Sequence, residues 1–153
     1  SYIALQEYDE VVDVLFGMGN ENIAMVSQIG NIVIFDGTAI SYTKLPARGI
    51  KGISLKALTD EVRSADLVKP TDTFLCTVTS SGFMKKTSLE EYPVTTRGTK
   101  GRLAHKLNND EVIEIEAMDN TEQIFYSKVF GNVPVADIPN AARVSRGLDM
   151  LKM

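Results

Sequence analysis

The feature that most constrains this chain is an internal repeat with a period of about 49 residues. The dipeptide Arg-Gly recurs at Arg48-Gly49, Arg97-Gly98 and Arg146-Gly147, and its first two copies extend to Arg-Gly-x-Lys-Gly. Two further markers keep the same order, namely the tripeptide Asp-Glu-Val and a glycine between two apolar runs. They lie at Asp9–Val11, Asp60–Val62 and Asp110–Val112, and at Gly30, Gly82 and Gly131. Such a period indicates several copies of one supersecondary unit, packed against one another.

Each copy is composed of predicted β-strands. The apolar segments are short, rich in β-branched and aromatic residues, and bounded by Gly, Asn, Asp or Pro. The glycine between two such segments can supply the positive φ that a hairpin turn needs. About four strands per unit is the density of a propeller blade, so we expect an all-β, propeller-like fold of about three four-stranded blades. The clearest segments are residues 23–27, 31–35, 74–79, 111–118 and 123–129.

The phase of the repeat predicts one domain over residues 1–153, cut at both ends within a unit. Residues 1–19 match the trailing half of a unit, 20–70 and 71–120 are whole units, and 121–153 is a leading half. Open sheet edges invite pairing with another chain. We therefore expect part of a larger ring, or an oligomer, in which the N-terminal strands complete the last sheet or pack on a neighbouring copy.

Charge is segregated along the chain. The net charge of −4 argues against nucleic-acid binding when taken alone, because phosphate binding needs a cationic surface. However, residues 44–56 and 95–106 carry four cations each and no acid, and residues 143–152 carry three cations against Asp149. The acids collect in residues 7–13 and 111–119. Because equivalent loops of successive blades face the same rim, we expect one basic stripe with the acids elsewhere.

The basic loops have the chemistry of DNA-backbone contacts. Glycines let backbone amides approach phosphates, and Arg or Lys supplies the charge. No base-reading pattern is evident, so binding by backbone and shape is expected. The alternatives are solvated turn cations in the Arg-Gly loops and local ion pairs between Lys85-Lys86 and Glu90-Glu91. The candidate DNA-binding residues are Lys44, Arg48, Lys51, Lys56, Lys85, Lys86, Arg97, Lys100, Arg102, Lys106, Arg143 and Arg146.

Other reactive side chains are few. Cys76 is the only cysteine, which excludes an internal disulfide, and its alternation with apolar neighbours predicts a buried strand residue. His105, the only histidine, is expected at the surface or against a phosphate. Phe35, Phe74, Phe125 and Tyr126 are predicted to pack in the core. No nucleophile set, P-loop or metal-ligand motif is present, so no catalytic residue and no metal site are predicted. No apolar run is long enough to span a bilayer.

The stretch from Phe74 to Gly101 resembles the blade signature of the C-terminal domain found in the A subunits of bacterial type IIA topoisomerases, DNA gyrase and topoisomerase IV. It contains an apolar strand, a glycine turn, Lys-Lys, a Glu-Tyr-Pro loop and Arg-Gly-x-Lys-Gly. Residues 23–56 and 123–147 are similar to the blades on either side, so the resemblance covers essentially the whole chain.

The resemblance implies a β-pinwheel with exchanged strands, around whose basic rim duplex DNA bends so that a segment is presented to the cleavage core. The glycine-rich box of gyrase is not intact in either Arg-Gly loop, which favours the topoisomerase IV branch. Implied partners are double-stranded DNA, the ATPase B subunit, and the other domains of the A subunit, in the bacterial cytoplasm at the nucleoid. This piece would catalyse nothing and hold no cofactor, whereas its parent would use ATP and Mg²⁺. The alternative is a propeller-like protein-interaction scaffold that does not bind DNA.

Overall fold

The computed structural model of the chain describes residues 7, 9–40, 49–55 and 57–152. The regular secondary structure of these residues is mostly β-strand, and the helices among them are four 3-10 turns at Gly37–Ala39, Leu89–Glu91, Val135–Asp137 and Met150–Lys152. None of these is long or apolar enough to cross a membrane. The predicted all-β class is confirmed. The strands are β1 Asn22–Ser27, β2 Asn31–Asp36, β3 Val62–Val68, β4 Phe74–Thr79, β5 Phe83–Ser88, β6 Arg102–Leu103, β7 Val112–Met118, β8 Ile124–Ser127, β9 Gly131–Pro134 and β10 Leu148–Asp149.

The strands form two four-stranded antiparallel sheets and one hairpin. The first sheet has the order β3-β1-β2-β6, the second has the order β10-β5-β4-β7, and β8 pairs with β9. Strand β6 comes from the second repeat unit but completes the first sheet, and β10 comes from the third unit but completes the second sheet. Each four-stranded sheet therefore takes its last strand from the next unit along the chain. This exchange is the pinwheel variant of a propeller, and the third sheet has two strands within the described residues.

The aspartate of the Asp-Glu-Val marker accepts hydrogen bonds from two hairpin turns. Asp110 accepts hydrogen bonds from the Ser81 backbone N–H at 3.0 Å and from the Ser80 hydroxyl at 2.6 Å, both in the turn between β4 and β5. Asp60 accepts a hydrogen bond of 3.2 Å from the N–H of Ile29 in the turn between β1 and β2. The glycine of the second turn, Gly82, has a φ of +93°, as the turn chemistry predicts. Two of the three repeated motifs thus specify the same turn.

The core lies between successive sheets. Ala24, Ile34, Leu75, Val112 and Ile115 pack between the first and second sheets, and a second cluster lies between the second sheet and the β8–β9 hairpin. This second cluster contains Cys76 and Phe125, both without solvent exposure, as predicted.

One predicted core aromatic is wrong. Tyr126 is 65% exposed, whereas its neighbour Phe125 is fully buried. Successive side chains of a strand point to opposite faces, so only one of two adjacent residues in β8 can enter the core. Phe35 is buried as expected, and Phe74 is partly buried.

The structure also changes the alignment of the third copy of the Arg-Gly marker, Arg146-Gly147. Gly101 and Gly147 both have positive φ, and a Cβ on either would collide with a carbonyl of the preceding hairpin, that of Ile32 or of Met84. Ile32 and Met84 hold equivalent positions opposite Val26 and Val78. Gly147 is therefore the counterpart of Gly101 and not of Gly98. In consequence Arg146 aligns with Lys100, and Arg143 takes the place of Arg97.

The expected N-terminal strand is absent from the described part of the N-terminal segment. Residues 9–20 include no strand, and residues 1–6 and 8 lie outside the described part of the chain. Asp13 forms an ion pair of 3.5 Å with Lys128, which follows β8. The segment therefore contacts the region after β8 through the Asp13 side chain, but residues 9–19 add no strand to the β8–β9 sheet.

Candidate nucleic-acid interface

Three loops lie next to one another along one edge of the sheets. They are loop 1 (residues 49–55), loop 2 (residues 95–106, which contains β6) and loop 3 (residues 140–147, which precedes β10). The N–H of Gly98 donates to the carbonyl of Gly52 at 2.7 Å, and the N–H of Lys106 donates to the carbonyl of Ser145 at 3.1 Å. Backbone hydrogen bonds thus join loop 1 to loop 2 and loop 2 to loop 3. We call this continuous surface the basic strip.

Two arginines fix the spacing of the loops. A guanidinium nitrogen of Arg97 donates to the carbonyl of Lys51 in loop 1 at 2.5 Å. A guanidinium nitrogen of Arg143 donates to the carbonyl of Leu103 in loop 2, also at 2.5 Å. A guanidinium carries five N–H donors, so each arginine can hold its neighbour and still present donors to an anion. Both side chains are partly exposed.

The remaining cations of the strip reach solvent. The guanidinium of Arg146 lies over the ring of Phe83, 4.1 Å from its centroid, which restricts its position by a cation–π contact. No acidic residue occurs in loops 1, 2 or 3. Of the predicted DNA-binding residues, Lys44, Arg48 and Lys56 lie outside the described residues. The exposed members of the strip are Lys51, Lys100, Arg102, Lys106 and Arg146.

Lys85 does not belong to this surface, and its prediction as a DNA contact is wrong. The residue has no solvent exposure. Its Nζ donates to the carbonyls of Ala142, Arg143 and Ser145 at 3.0, 2.5 and 2.9 Å. Loss of hydration lowers the pKa of Lys85 to about 8. An ammonium whose donors are taken by carbonyls inside the protein cannot meet a phosphate. The expected pairing with Glu90 or Glu91 is also absent among the ion pairs of the described residues.

Lys86 is partly buried beside the start of loop 3. Its Nζ donates to the carbonyl of Val135 at 3.1 Å and lies 5.5 Å from the ring centroid of Phe74. Its backbone N–H donates to the carbonyl of Pro139, and its carbonyl accepts from the N–H of Ala141. Lys86 therefore joins the second and third units at a seam, and its role as a DNA contact stays a prediction.

His105 is buried, so both expectations for it are wrong. It has no solvent exposure and forms a hydrogen bond with the hydroxyl of Thr77 in β4. Burial lowers its pKa to about 3, and the nearby Lys85 ammonium acts in the same direction. The imidazole is neutral at physiological pH and contributes no charge to a phosphate site.

Acids gather at the opposite edge of the sheets. Strands β3 and β7 end their respective sheets away from β6 and β10 and lie side by side. The carboxylate of Asp66 in β3 accepts a hydrogen bond of 2.8 Å from the N–H of Ala117 in β7. Glu116 faces the same region, where burial and the nearby Asp66 raise its pKa to about 7. The basic and acidic edges are thus separate, which explains how an acidic chain presents a basic strip.

Comparison with known proteins agrees with this architecture. A sequence profile of the family described as "DNA gyrase C-terminal domain, beta-propeller" matches residues 21–69 and 73–115, more than half of the chain. The chain belongs to this family. The match covers both four-stranded sheets except for β7 beyond Ile115 and the exchanged strand β10.

Among curated relatives, the chain is 27% identical over 156 residues to the DNA gyrase A subunit of Haloquadratum walsbyi. This alignment covers 99% of the chain and 18% of that protein. It is 28% identical over 155 residues to the same protein of Salmonella typhimurium, covering 98% of the chain and 17% of the relative. The chain therefore spans less than a fifth of these relatives.

Solved structures of the family superimpose closely. The C-terminal domain of DNA topoisomerase IV matches with a TM-score of 0.86 and 25% identity, covering 99% of this chain and 50% of that chain. The DNA gyrase A C-terminal domain matches with a TM-score of 0.81 and 20% identity, covering 97% of this chain and 52% of that chain. The chain thus belongs among the C-terminal domains of type IIA topoisomerase A subunits, and it spans about half the length of these solved domains. Both branches are represented, and the preference for topoisomerase IV stays a prediction.

Proposed function

We propose that this chain binds duplex DNA along the basic strip and bends it, as the wrapping domain of a type IIA topoisomerase A subunit that presents DNA to the cleavage core. The observation that supports this most is the continuity of the strip. Three acid-free loops are joined by backbone hydrogen bonds, and Arg97 and Arg143 tie each loop to the one before it. Phosphates along a bent duplex need cations at several successive positions, which one isolated loop does not supply.

The strength of such a site follows from the number of phosphates it meets. Each neutralised phosphate contributes about −0.9 to the slope of log K against log salt. If about six cations of the strip meet phosphates, affinity falls roughly 10³-fold between 50 and 200 mM salt. Bending a 20–30 bp segment costs on the order of 1–6 kcal/mol, which these contacts would offset. Sequence preference should be weak, because the strip offers backbone contacts.

Fluorescence anisotropy with a duplex of about 40 bp, measured at several salt concentrations, tests this proposal. The double variant Lys100→Glu with Arg102→Glu reverses two exposed charges of loop 2 and should abolish binding at moderate salt. The control is Lys69→Glu, which reverses one exposed charge just after β3, at the opposite edge. Binding that is undetectable at low salt, or insensitive to salt, would contradict the proposal and favour a protein-interaction scaffold.

In the larger protein, this domain would act beside the other domains of its own subunit, together with the ATPase B subunit, where ATP and Mg²⁺ would serve the parent enzyme. We propose a location in the bacterial cytoplasm, on the nucleoid. The β8–β9 hairpin supplies a surface for a further unit, from the same chain or from a second copy, because its sheet has two strands among the described residues. Sedimentation velocity distinguishes these cases, since self-association gives a concentration-dependent mass.

A further inference from the structure

The buried Lys85 side chain is the centre of a hydrogen-bond network that holds loop 3. Its Nζ binds three carbonyls of that loop, and the Ser145 hydroxyl lies 3.4 Å away. Other side chains of the same unit reach the loop as well: Thr87 donates to the carbonyl of Ala141 at 3.0 Å, and Glu91 accepts from the N–H of Arg143 at 3.0 Å. Lys85 makes the largest share of these side-chain bonds, all to the segment that carries Arg143 and Arg146.

Loop 2 packs on the first repeat unit as loop 3 packs on the second, and the first unit binds loop 2 without a buried charge. Val33 pairs with Met25 as Lys85 pairs with Thr77, so valine occupies the position of the lysine. The carbonyls of Gly98 and Thr99 in loop 2 are instead bound by the hydroxyl and N–H of Ser54 in loop 1. A buried lysine is therefore not a requirement of the fold. Burying an ammonium is unfavourable unless its hydrogen bonds are complete, and here they are completed by one loop.

We propose that Lys85 is a positioning residue for DNA binding: it shapes loop 3 and thereby sets where Arg143 and Arg146 stand on the basic strip, without touching DNA itself. The inference rests on the proposed function of the strip. Lys85, an interior residue, would thus contribute to DNA affinity indirectly, through the surface cations that it positions.

The Lys85→Met variant tests the proposal, with Lys69→Met as the control that removes the same charge from an exposed position. In Lys85→Met, amide hydrogen exchange should become faster in residues 140–147 and stay unchanged in β1 and β2. DNA affinity should fall roughly tenfold at 0.1 M salt for each phosphate that loop 3 no longer neutralises. Lys69→Met should change neither measurement by more than a small factor.

A double-mutant cycle separates positioning from direct contact. When Arg143 and Arg146 are both changed to Gln, adding Lys85→Met should weaken DNA binding no further, because Lys85 acts through those two residues. An additive loss would overturn the proposal, as would normal exchange in loop 3 of a folded Lys85→Met protein. If wild-type protein does not bind DNA, the proposed function fails, while the exchange measurement still decides whether Lys85 shapes the loop.

A measurement on the wild-type chain covers the case in which Lys85→Met does not fold. An unperturbed lysine, with a pKa of about 10.4, stays mostly charged between pH 7 and pH 9.5. Lys85, with a pKa of about 8, loses its proton in this range, facing Glu91, Arg143 and the neutral His105. The amide NMR signals of residues 142–145 should shift together near pH 8, with a parallel loss of DNA affinity. A shift of loop 3 with unchanged affinity would overturn the proposal.

Discussion

The imidazole of His105 and the hydroxyl of Thr77 form a hydrogen bond inside the second sheet, where neither side chain reaches solvent. Thr77 lies in the middle of β4, whereas His105 lies at the end of loop 2, whose strand β6 belongs to the first sheet. The bond therefore ties the basic strip to the neighbouring blade. It also places a titratable group where a proton is unfavourable, which gives this contact a pH dependence.

His105 should make the domain sensitive to acid. Its folded pKa of about 3 lies below the ordinary value of 6.5, so the unfolded state takes up the proton first. Its contribution to stability is present above pH 6.5 and is lost as the pH falls towards 3. Between pH 7 and 4.5 the stability advantage of the wild type over His105→Gln should shrink by roughly 2–3 kcal/mol. Urea denaturation of both proteins at the two pH values measures this, and parallel pH profiles would contradict it.

Glu116 should act in the opposite direction. Its folded pKa of about 7 lies above the ordinary 4.5, because of burial and the nearby Asp66, so its contribution is lost as the pH rises through 7. At pH 8, Glu116→Gln should be more stable than the wild type by on the order of 1 kcal/mol, a value discounted for screening at a partly exposed site. At pH 5 the gain should shrink to roughly a quarter of that value. Glu90→Gln, at an exposed position, serves as the control, and an equal gain there would show a general charge effect instead.

The local features of this fold could be predicted from the sequence, and the interior polar contacts could not. The apolar segments correctly predict the positions of strands β1, β2, β4, β7 and β8. Strand alternation and a turn glycine are signals that depend only on residues close in sequence. The separation of cations from acids also follows from equivalent positions in successive units.

The burial of Lys85 and His105 is not predictable from their own segments. The carbonyls that surround the Lys85 ammonium lie 57 to 60 residues further along the chain, so the strand itself reads as exposed. Aligning Lys85 with the buried Val33 of the first unit was the one signal in the sequence. The third copy of the Arg-Gly marker is aligned wrongly by sequence because Arg146-Gly147 has the same residue types as Arg97-Gly98, whereas the fold requires a glycine where Gly101 meets the Ile32 carbonyl.

The aspartate of the repeated Asp-Glu-Val motif should matter only where it closes a turn. Asp110 accepts hydrogen bonds from the Ser80 hydroxyl and from the N–H groups of Ser81 and Glu111 at 2.6, 3.0 and 2.9 Å. Asp110→Ala leaves these donors without their partner and should cost about 1–3 kcal/mol of unfolding free energy. Asp9 has the same motif but makes no hydrogen bond within the described residues, so Asp9→Ala is the matched control. Equal losses in denaturant unfolding would show that the turn contact is unimportant.

Two glycines of loop 2 should respond differently to the same substitution. Gly98 and Gly101 have φ of +85° and +76°, so alanine is strained at both by about 1–2 kcal/mol. A Cβ at Gly98 would lie 3.7 Å from the Lys51 carbonyl, an ordinary contact, whereas at Gly101 it would collide with the backbone of Ile32. Gly101→Ala should therefore lose clearly more stability and should also free β6 from β2.

Hydrogen exchange at the β2–β6 pairing, followed with urea denaturation, checks this difference. In Gly101→Ala the amides that join Asn31 and Ile32 to Leu103 and Arg102 should exchange faster, while those of Gly98→Ala keep their protection. Because Arg102 is carried by β6, Gly101→Ala should weaken DNA binding as well, in spite of leaving every charge in place. If the two variants lost equal stability with β6 still paired, close approach of loop 2 to the hairpin would not be what holds the exchanged strand.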